Sequence, residues 1–398
     1  MDLVKPGSAL TKLVISVAVL AICVVLPSIV LGNCFLLPVG LAHGLILSVC
    51  GHAKIAVEVL DNKKIWDQFV ENSPQGTLFH TWDFLKIVEK HSGSQLVPYA
   101  IFSGNELMCV FPFFITRRQG LTLMRSPPPD AQIPYLGPAF DPSVAGLGAH
   151  KKEKIFEQVT GELCSEVDKI APNFMNFRTV PNFLDVRSFI WKNFTAHLMF
   201  TSAINLEKSV DEIWASFSRG CRQKIKRVSA YSPEVQQTND VSSLLAIWRE
   251  RFRQCAKEEP LLSESYLKEL VATFPQDVTV YNVSIDGRLA TASTYCAIQK
   301  ERYCSWIGGV SARRDLGVVE YLEWEIIRRA KSEGFKKLDL TGAPNQRISE
   351  FKFRFNPAVE PFCYVERTDM LAKIANFARS KLASSVLSVK RMLPRRGM

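Results

Sequence analysis

The sequence predicts a mixed α+β fold of two tandem halves behind an apolar N-terminal segment. Three observations predict it. Residues 13–31 carry no charge and are mostly Val, Leu, Ile and Ala. Residues 54–366 contain no Ser/Gly-rich or charge-rich linker and no repeat with a period of roughly 20–50 residues. Within that stretch helical and strand patterns mix, and an order of helices, antiparallel strands, helix, strand occurs twice, in shorter form first.

The N-terminal block is long enough to cross a bilayer, which takes about 20 apolar residues. A second apolar run, 35–49, follows Gly32-Asn33 and is interrupted by Pro38, Gly40 and His43. One reading is a single span followed by an interfacial segment; the other is a hairpin turning at Gly32-Asn33. Lys5 and Lys12 precede the block, and Lys54, Lys63 and Lys64 follow it. Cations on both sides place both ends, and the catalytic unit, on the cytoplasmic face. The run is longer than the apolar core of a signal peptide and lacks a small-residue cleavage site.

The expected organisation is therefore an anchor over 1–53, a first half over 54–200, a second half over 201–367 and a tail over 368–398. In the first half, helices are expected at 65–70 and 82–89, and a strand pair at 97–103 and 107–116 turning at Gly104-Asn105. A Pro-rich loop spans 126–142. Apolar steps of three or four from Ile155 to Ile170 predict a helix over 152–170. In the second half, helices are expected over 211–231, 241–255 and 263–273. Strands over 278–285, 289–299 and 303–307 form a meander turning at Asp286-Gly287. A helix through Glu320 to Gly334 and a strand over 337–340 close the unit.

Composition narrows the chemistry. The net charge of +10, from 49 basic and 39 acidic residues, fits phosphates, a membrane surface or RNA as partners; ordinary solubility accounts for it as well. The 10 cysteines show no CxxC and no Cys/His spacing for zinc, so they read as small buried hydrophobes and no metal is expected. No Ser/His/Asp or Cys/His order supports covalent catalysis.

The most informative stretch is RRDLGVVEYLEWEIIRRAKSEGFKKLDLTG, from Arg313. A loop with Arg313, Arg314 and Gly317 opens a helix whose free N–H groups and positive dipole end suit a phosphate. The two arginines add donors of phosphate geometry. Upstream, Arg219–Arg227 holds five basic residues in nine positions. Arg219, Arg222 and Lys226 share a helical face suited to a tRNA acceptor stem or an anionic glycolipid; a merely solvated face is the plain alternative.

The second half resembles a GNAT acyltransferase core. There an Arg/Gln-x-x-Gly-x-Gly/Ala loop binds the acyl-CoA pyrophosphate, matched here by Arg314-Asp315-Leu316-Gly317-Val318-Val319, with Val319 departing from the pattern. Residues 64–366 resemble more specifically the double-GNAT, FemAB-like branch. The marks are Phe79-His80-Thr81-x-x-Phe84, Phe111-Pro112-Phe113-Phe114, Arg125-Ser126-Pro127 and Pro134-Tyr135-Leu136-Gly137-Pro138. The basic run at 219–227, Asp339-Leu340-Thr341-Gly342 and Phe351-Lys352-Phe353-Arg354-Phe355 complete them. The resemblance implies two GNAT-like halves and transfer of an acyl group from acyl-CoA, or an aminoacyl group from tRNA, to an amine.

Such transfer needs a neutral amine, a polarised carbonyl and alignment. Backbone N–H groups at the edge of 303–310 would bind the oxyanion. The resemblance places Lys352 near donor phosphate. Asp339, at the end of an apolar strand, would orient or deprotonate the amine; capping the next turn is the alternative. Tyr321 would protonate a thiolate leaving group, or simply pack. His80 and Tyr135 are assigned to the acceptor pocket, a satisfied core histidine being the alternative for His80. The tail, 370–392, is amphipathic and basic, fitting an anionic bilayer.

Three functions follow. The first is a membrane-anchored acyl-CoA-dependent N-acyltransferase acting on a small molecule, sugar or lipid-linked amine. The second is an aminoacyl-tRNA-dependent transferase acting on a lipid-linked precursor. The third is a non-catalytic lipid- or RNA-binding descendant of the fold.

Overall fold

The computed structural model describes residues 54–255, 263–308, 316–343 and 345–374. The anchor, the greater part of the tail, and Arg313 and Arg314 lie outside the described residues. Among the described residues no helix is long and apolar enough to cross a membrane.

The first half builds β1 (Ile55–Val59), α1 (Lys63–Asn72), α2 (Trp82–Ser92), β2 (Gln95–Ser103), β3 (Glu106–Arg118), β4 (Leu121–Ser126) and β5 (Ala139–Phe140). It continues through α3 (Pro142–Ala145), α4 (Ala149–Ile170), β6 (Phe174–Arg178) and α5 (Arg187–Ile190). After β7 (Thr195–Asn205) come α6 (Val210–Ser216), α7 (Arg219–Ser229), β8 (Glu234–Thr238), α8 (Ser242–Cys255) and α9 (Glu264–Thr273). The meander is β9 (Val278–Ile285), β10 (Arg288–Gln299) and β11 (Arg302–Gly308). Then follow α10 (Val318–Ser332), β12 (Lys337–Gly342), α11 (Gln346–Phe353) and β13 (Ala358–Thr368).

The two halves share a construction. Strands β2, β3 and β4 are antiparallel, and after α4 the chain returns as β6, parallel to β4. Strands β9, β10 and β11 are antiparallel, and after α10 the chain returns as β12, parallel to β11. A parallel return needs a long crossover, which the helix supplies. The expected helix over 211–231 is two helices: Phe217 is extended and Ser218 caps α7, its hydroxyl accepting from Cys221 N at 3.3 Å.

The halves are not separate sheets. Among the described residues one 13-stranded sheet runs β1-β2-β3-β4-β6-β13-β7-β12-β11-β10-β9-β8, with β5 on β3. The last strand, β13, lies between β6 and β7, and the expected boundary at 200/201 falls inside β7. Pairing at such sequence separation leaves no local trace in composition. One core spans both halves: Phe79, Phe84 and Tyr135 pack with Leu270, Cys296 and Trp306. Helix α4 covers a second core on the first half; α6, α7 and α10 cover a third on the second half.

Candidate functional site

The sheet opens where β11 and β12 part. Their parallel register runs Arg302↔Lys337, Tyr303↔Leu338, Cys304↔Asp339 and goes no further among the described residues. Beyond it Thr341 adopts a left-handed backbone, φ +63, unusual for a β-branched residue. Gly342 opposes Thr201 of β7. Lys352 of α11 holds this distorted end: Nζ donates to Thr341 O at 3.0 Å, Thr341 Oγ1 at 3.2 Å and Gly342 O at 2.7 Å. Burial lowers its pKa, against the raising pull of Asp339 and Glu323. Its three N–H bonds are thus engaged at the strand end, not turned toward a donor phosphate as the resemblance implied.

Asp339 is fully buried and saturated. Oδ1 accepts from Thr201 Oγ1 at 2.6 Å and Thr341 N at 2.7 Å; Oδ2 accepts from Tyr135 OH at 3.1 Å and Arg302 Nε at 2.9 Å. Arg302 also reaches Glu360 at 2.7 Å, and Glu360 meets Lys337 at 2.5 Å. Burial opposes the charge of Arg302, but Asp339 and Glu360 outweigh it and raise its pKa. This is a closed structural network, and the acid–base role expected of Asp339 is not the one its partners give it. Tyr135 is likewise buried, packed edge-on against Phe362 at 5.2 Å. It ties the Pro-rich loop to the second half rather than lining an open pocket.

Glu323, absent from the sequence-based assignment, is the better-placed acid. It lies on the buried face of α10 with Ile326, Ile327 and Ala330. Oε1 accepts from Tyr295 OH at 3.1 Å and Ser305 Oγ at 2.9 Å. Oε2 is buried and has no hydrogen-bond partner among the described residues. Burial pushes its pKa up to about 7, against the lowering effect of the Ser305 and Tyr295 bonds and of Lys352. One signal was legible: an acid at 323 falls on the i, i+3, i+4, i+7 apolar stripe of its helix.

The remaining residues scatter. Tyr321 lies two positions from Glu323, so it points to another side of α10; it packs half-buried against the second-half core, and burial raises its pKa. Gly317 caps α10 with φ +86, and a Cβ there would stand 2.6 Å from Lys224 Cβ. The glycine is therefore needed for α7 to pack, whatever binds the loop. Lys224 itself turns inward to the buried Glu320 at 2.7 Å, which Arg354 also meets at 3.1 Å. On α7, Arg219 and Lys226 are exposed, and Arg222 is half-buried, donating to Ala215 O at 3.2 Å. His80 is fully buried. Nδ1 meets Thr77 Oγ1 at 2.8 Å and Nε2 meets Gly137 O at 3.2 Å. Burial lowers its pKa to about 4, so it is a neutral core clamp and not an acceptor contact. Among the described residues no cluster of His, Cys, Asp and Glu could hold a metal ion.

Comparison with known proteins bears on the fold. The family model for an acetyltransferase (GNAT) domain matches residues 215–352. The fold is similar to the crystal structure of FemX, at 11% identity and a TM-score of 0.58, over 77% of this chain and 96% of that one. It is also similar to L-PGS from Bacillus licheniformis, at 11% identity and a TM-score of 0.53, over 81% of this chain and 96% of that one. No curated protein matches the chain in sequence.

Proposed function

We propose that this chain, whose residues 215–352 match the GNAT acetyltransferase family model and whose fold is similar to that of FemX, is a GNAT-type transferase that moves an acyl or aminoacyl group to an amine at the opening between β11 and β12. The observation that carries the reading is the end of their pairing at Cys304↔Asp339. Beyond it, β11 is paired on the β10 side only, among the described residues. Its backbone N–H groups on the β12 side would polarise the donor carbonyl. The amine nitrogen attacks that carbon, a C–N bond forms, and the bond to the leaving sulfur or oxygen breaks. The amine gives its proton to Glu323, and the leaving group takes one up. A carboxyl with a pKa near the working pH suits such a step.

Acyl-CoA is the donor we assign first, its phosphates at the loop of Arg313, Arg314 and Gly317. A second reading, an aminoacyl-tRNA donor, is favoured by one observation. The exposed cations Arg219 and Lys226 lie on the helix whose Lys224 packs on Gly317, next to the donor loop. The acceptor we assign is an amine carried on or near a membrane, with the catalytic unit on the cytoplasmic side. That rests on the uncharged block at 13–31 and its flanking lysines. The test is direct: the detergent-extracted full chain is incubated with a membrane lipid extract and either labelled acetyl-CoA or a pool of charged tRNAs. Amide-linked label from one donor is expected; label from neither removes the reading.

A further inference from the structure

Two arginines in this sheet fare differently: Arg302 is buried and Arg178 half-buried. Arg302 is met by two carboxylates. Arg178, the last residue of β6, has no ion pair among the described residues, and its hydrogen bond to Ile133 O is long, 3.4 Å. Burial lowers its pKa. A half-buried guanidinium with no ion pair keeps donors free for a ligand. Asn176 lies on the same face of β6. Its Nδ2 donates to Tyr364 OH at 3.0 Å, while its buried Oδ1 has no partner among the described residues. The register pairs Tyr364 with Arg178 and His197 with Tyr364, so these residues share one face of the sheet. Arg178 and Tyr364 are half-buried there and His197 is exposed.

We propose that Arg178 and Asn176 form a binding site for the oxyanion of a ligand, phosphate or carboxylate, flanked by an O–H or N–H donor. The guanidinium takes the oxyanion through paired N–H groups, and Asn176 Oδ1 accepts from the adjacent donor. The site is placed to hold the acceptor, a point that rests on the transferase reading above. From Tyr364 to Glu360 along β13 is four residues, about 13 Å, and Glu360 pairs with Thr201 beside the strand opening. The exposed Met199 lies along this path. An acceptor whose amine and oxyanion are separated by about that length would span both places.

The test is thermal unfolding and binding of the full chain, wild type against Arg178→Gln and Arg178→Lys. Inorganic pyrophosphate and acetate serve as soluble oxyanions, and phosphatidylglycerol vesicles, with phosphatidylcholine as control, as a lipid headgroup. Wild type is expected to bind at least one probe, Arg178→Gln at least tenfold more weakly, and Arg178→Lys in between. Without anion, Arg178→Gln is expected to unfold at or above the wild-type temperature, since it removes an uncompensated charge. Preference for pyrophosphate or acetate assigns a soluble ligand; preference for phosphatidylglycerol assigns a lipid. Equal binding by wild type and Arg178→Gln, binding of none of these probes, or an anion-free Arg178→Gln that melts several degrees lower would overturn the proposal. No donor is present in this assay. Arg178-dependent binding by a protein that transfers nothing would leave the oxyanion site standing and remove only the transferase reading.

Discussion

The Tyr135 hydroxyl donates to Asp339 Oδ2 at 3.1 Å, linking a loop of the first half to a central strand of the second across 204 positions of sequence. The same carboxylate takes Arg302, Thr201 and the Thr341 amide. It therefore fixes the end of β12 at the place where the sheet opens, and it does so as an anion fully engaged by its neighbours.

Asp339→Asn should be strongly destabilising. It leaves the buried Arg302 with Glu360 alone, and breaking a buried pair from one side costs about 3–5 kcal/mol. Tyr135→Phe removes one hydrogen bond and should cost about 1 kcal/mol. Urea unfolding of the two variants checks both. A wild-type midpoint for Asp339→Asn would mean that the network does not hold the fold.

Glu323→Gln should separate activity from stability. The carboxyl titrates near pH 7 when folded and near 4.3 when unfolded. Its folded pKa is raised, so the stability it contributes is complete below the unfolded value and is lost as pH rises from there through 7, by about 4 kcal/mol in all. The variant should not show that loss, so at pH 8 it should be at least as stable as wild type. Its transfer rate should fall on the order of 10²-fold and lose its rise across pH 7. Unchanged pH–rate profiles would exclude Glu323 as the proton acceptor.

His80 runs in the opposite direction. Its pKa is lowered from 6.5 to about 4 by burial, so the neutral ring stabilises the fold above the unfolded value. That stability is lost as pH falls from about 6.5 to 4, approaching 3 kcal/mol. Unfolding free energies at pH 7, 5.5 and 4 should show the decline in wild type and a flatter curve in His80→Gln.

Gly317→Ala should destabilise the chain even with no donor present. It adds the strain of a left-handed non-glycine residue, about 1 kcal/mol or more, and a contact at 2.6 Å with Lys224 Cβ. Because the nearest atom met is a Cβ, Lys224→Ala keeps the 2.6 Å contact and relieves only those with Cγ and Cδ at 3.2 Å, while Lys224→Gly in the double variant removes all three. Full stability of the single variant would show that α7 can move away freely.

The sequence by itself determined what is local. The meander, the crossover helix and the order of the second half follow from periodicity and turn chemistry, and the strand over 278–285 ends at the Asp286-Gly287 hairpin turn. The motif residues Asp339 and Lys352 were also legible as an important pair, and they do meet at one strand end, through Thr341. What each does there was not legible. The partners of Asp339 come from positions 135, 201, 302 and 341, and only packing tells a saturated carboxylate from a free one. The tertiary structure alone joined the halves through β13, turned Lys224 inward to Glu320 and left Glu323 and Arg178 short of partners. The physical reason is common to all four: pairing and desolvation depend on which groups come together from distant parts of the chain, whereas periodicity records only which face of an element is apolar.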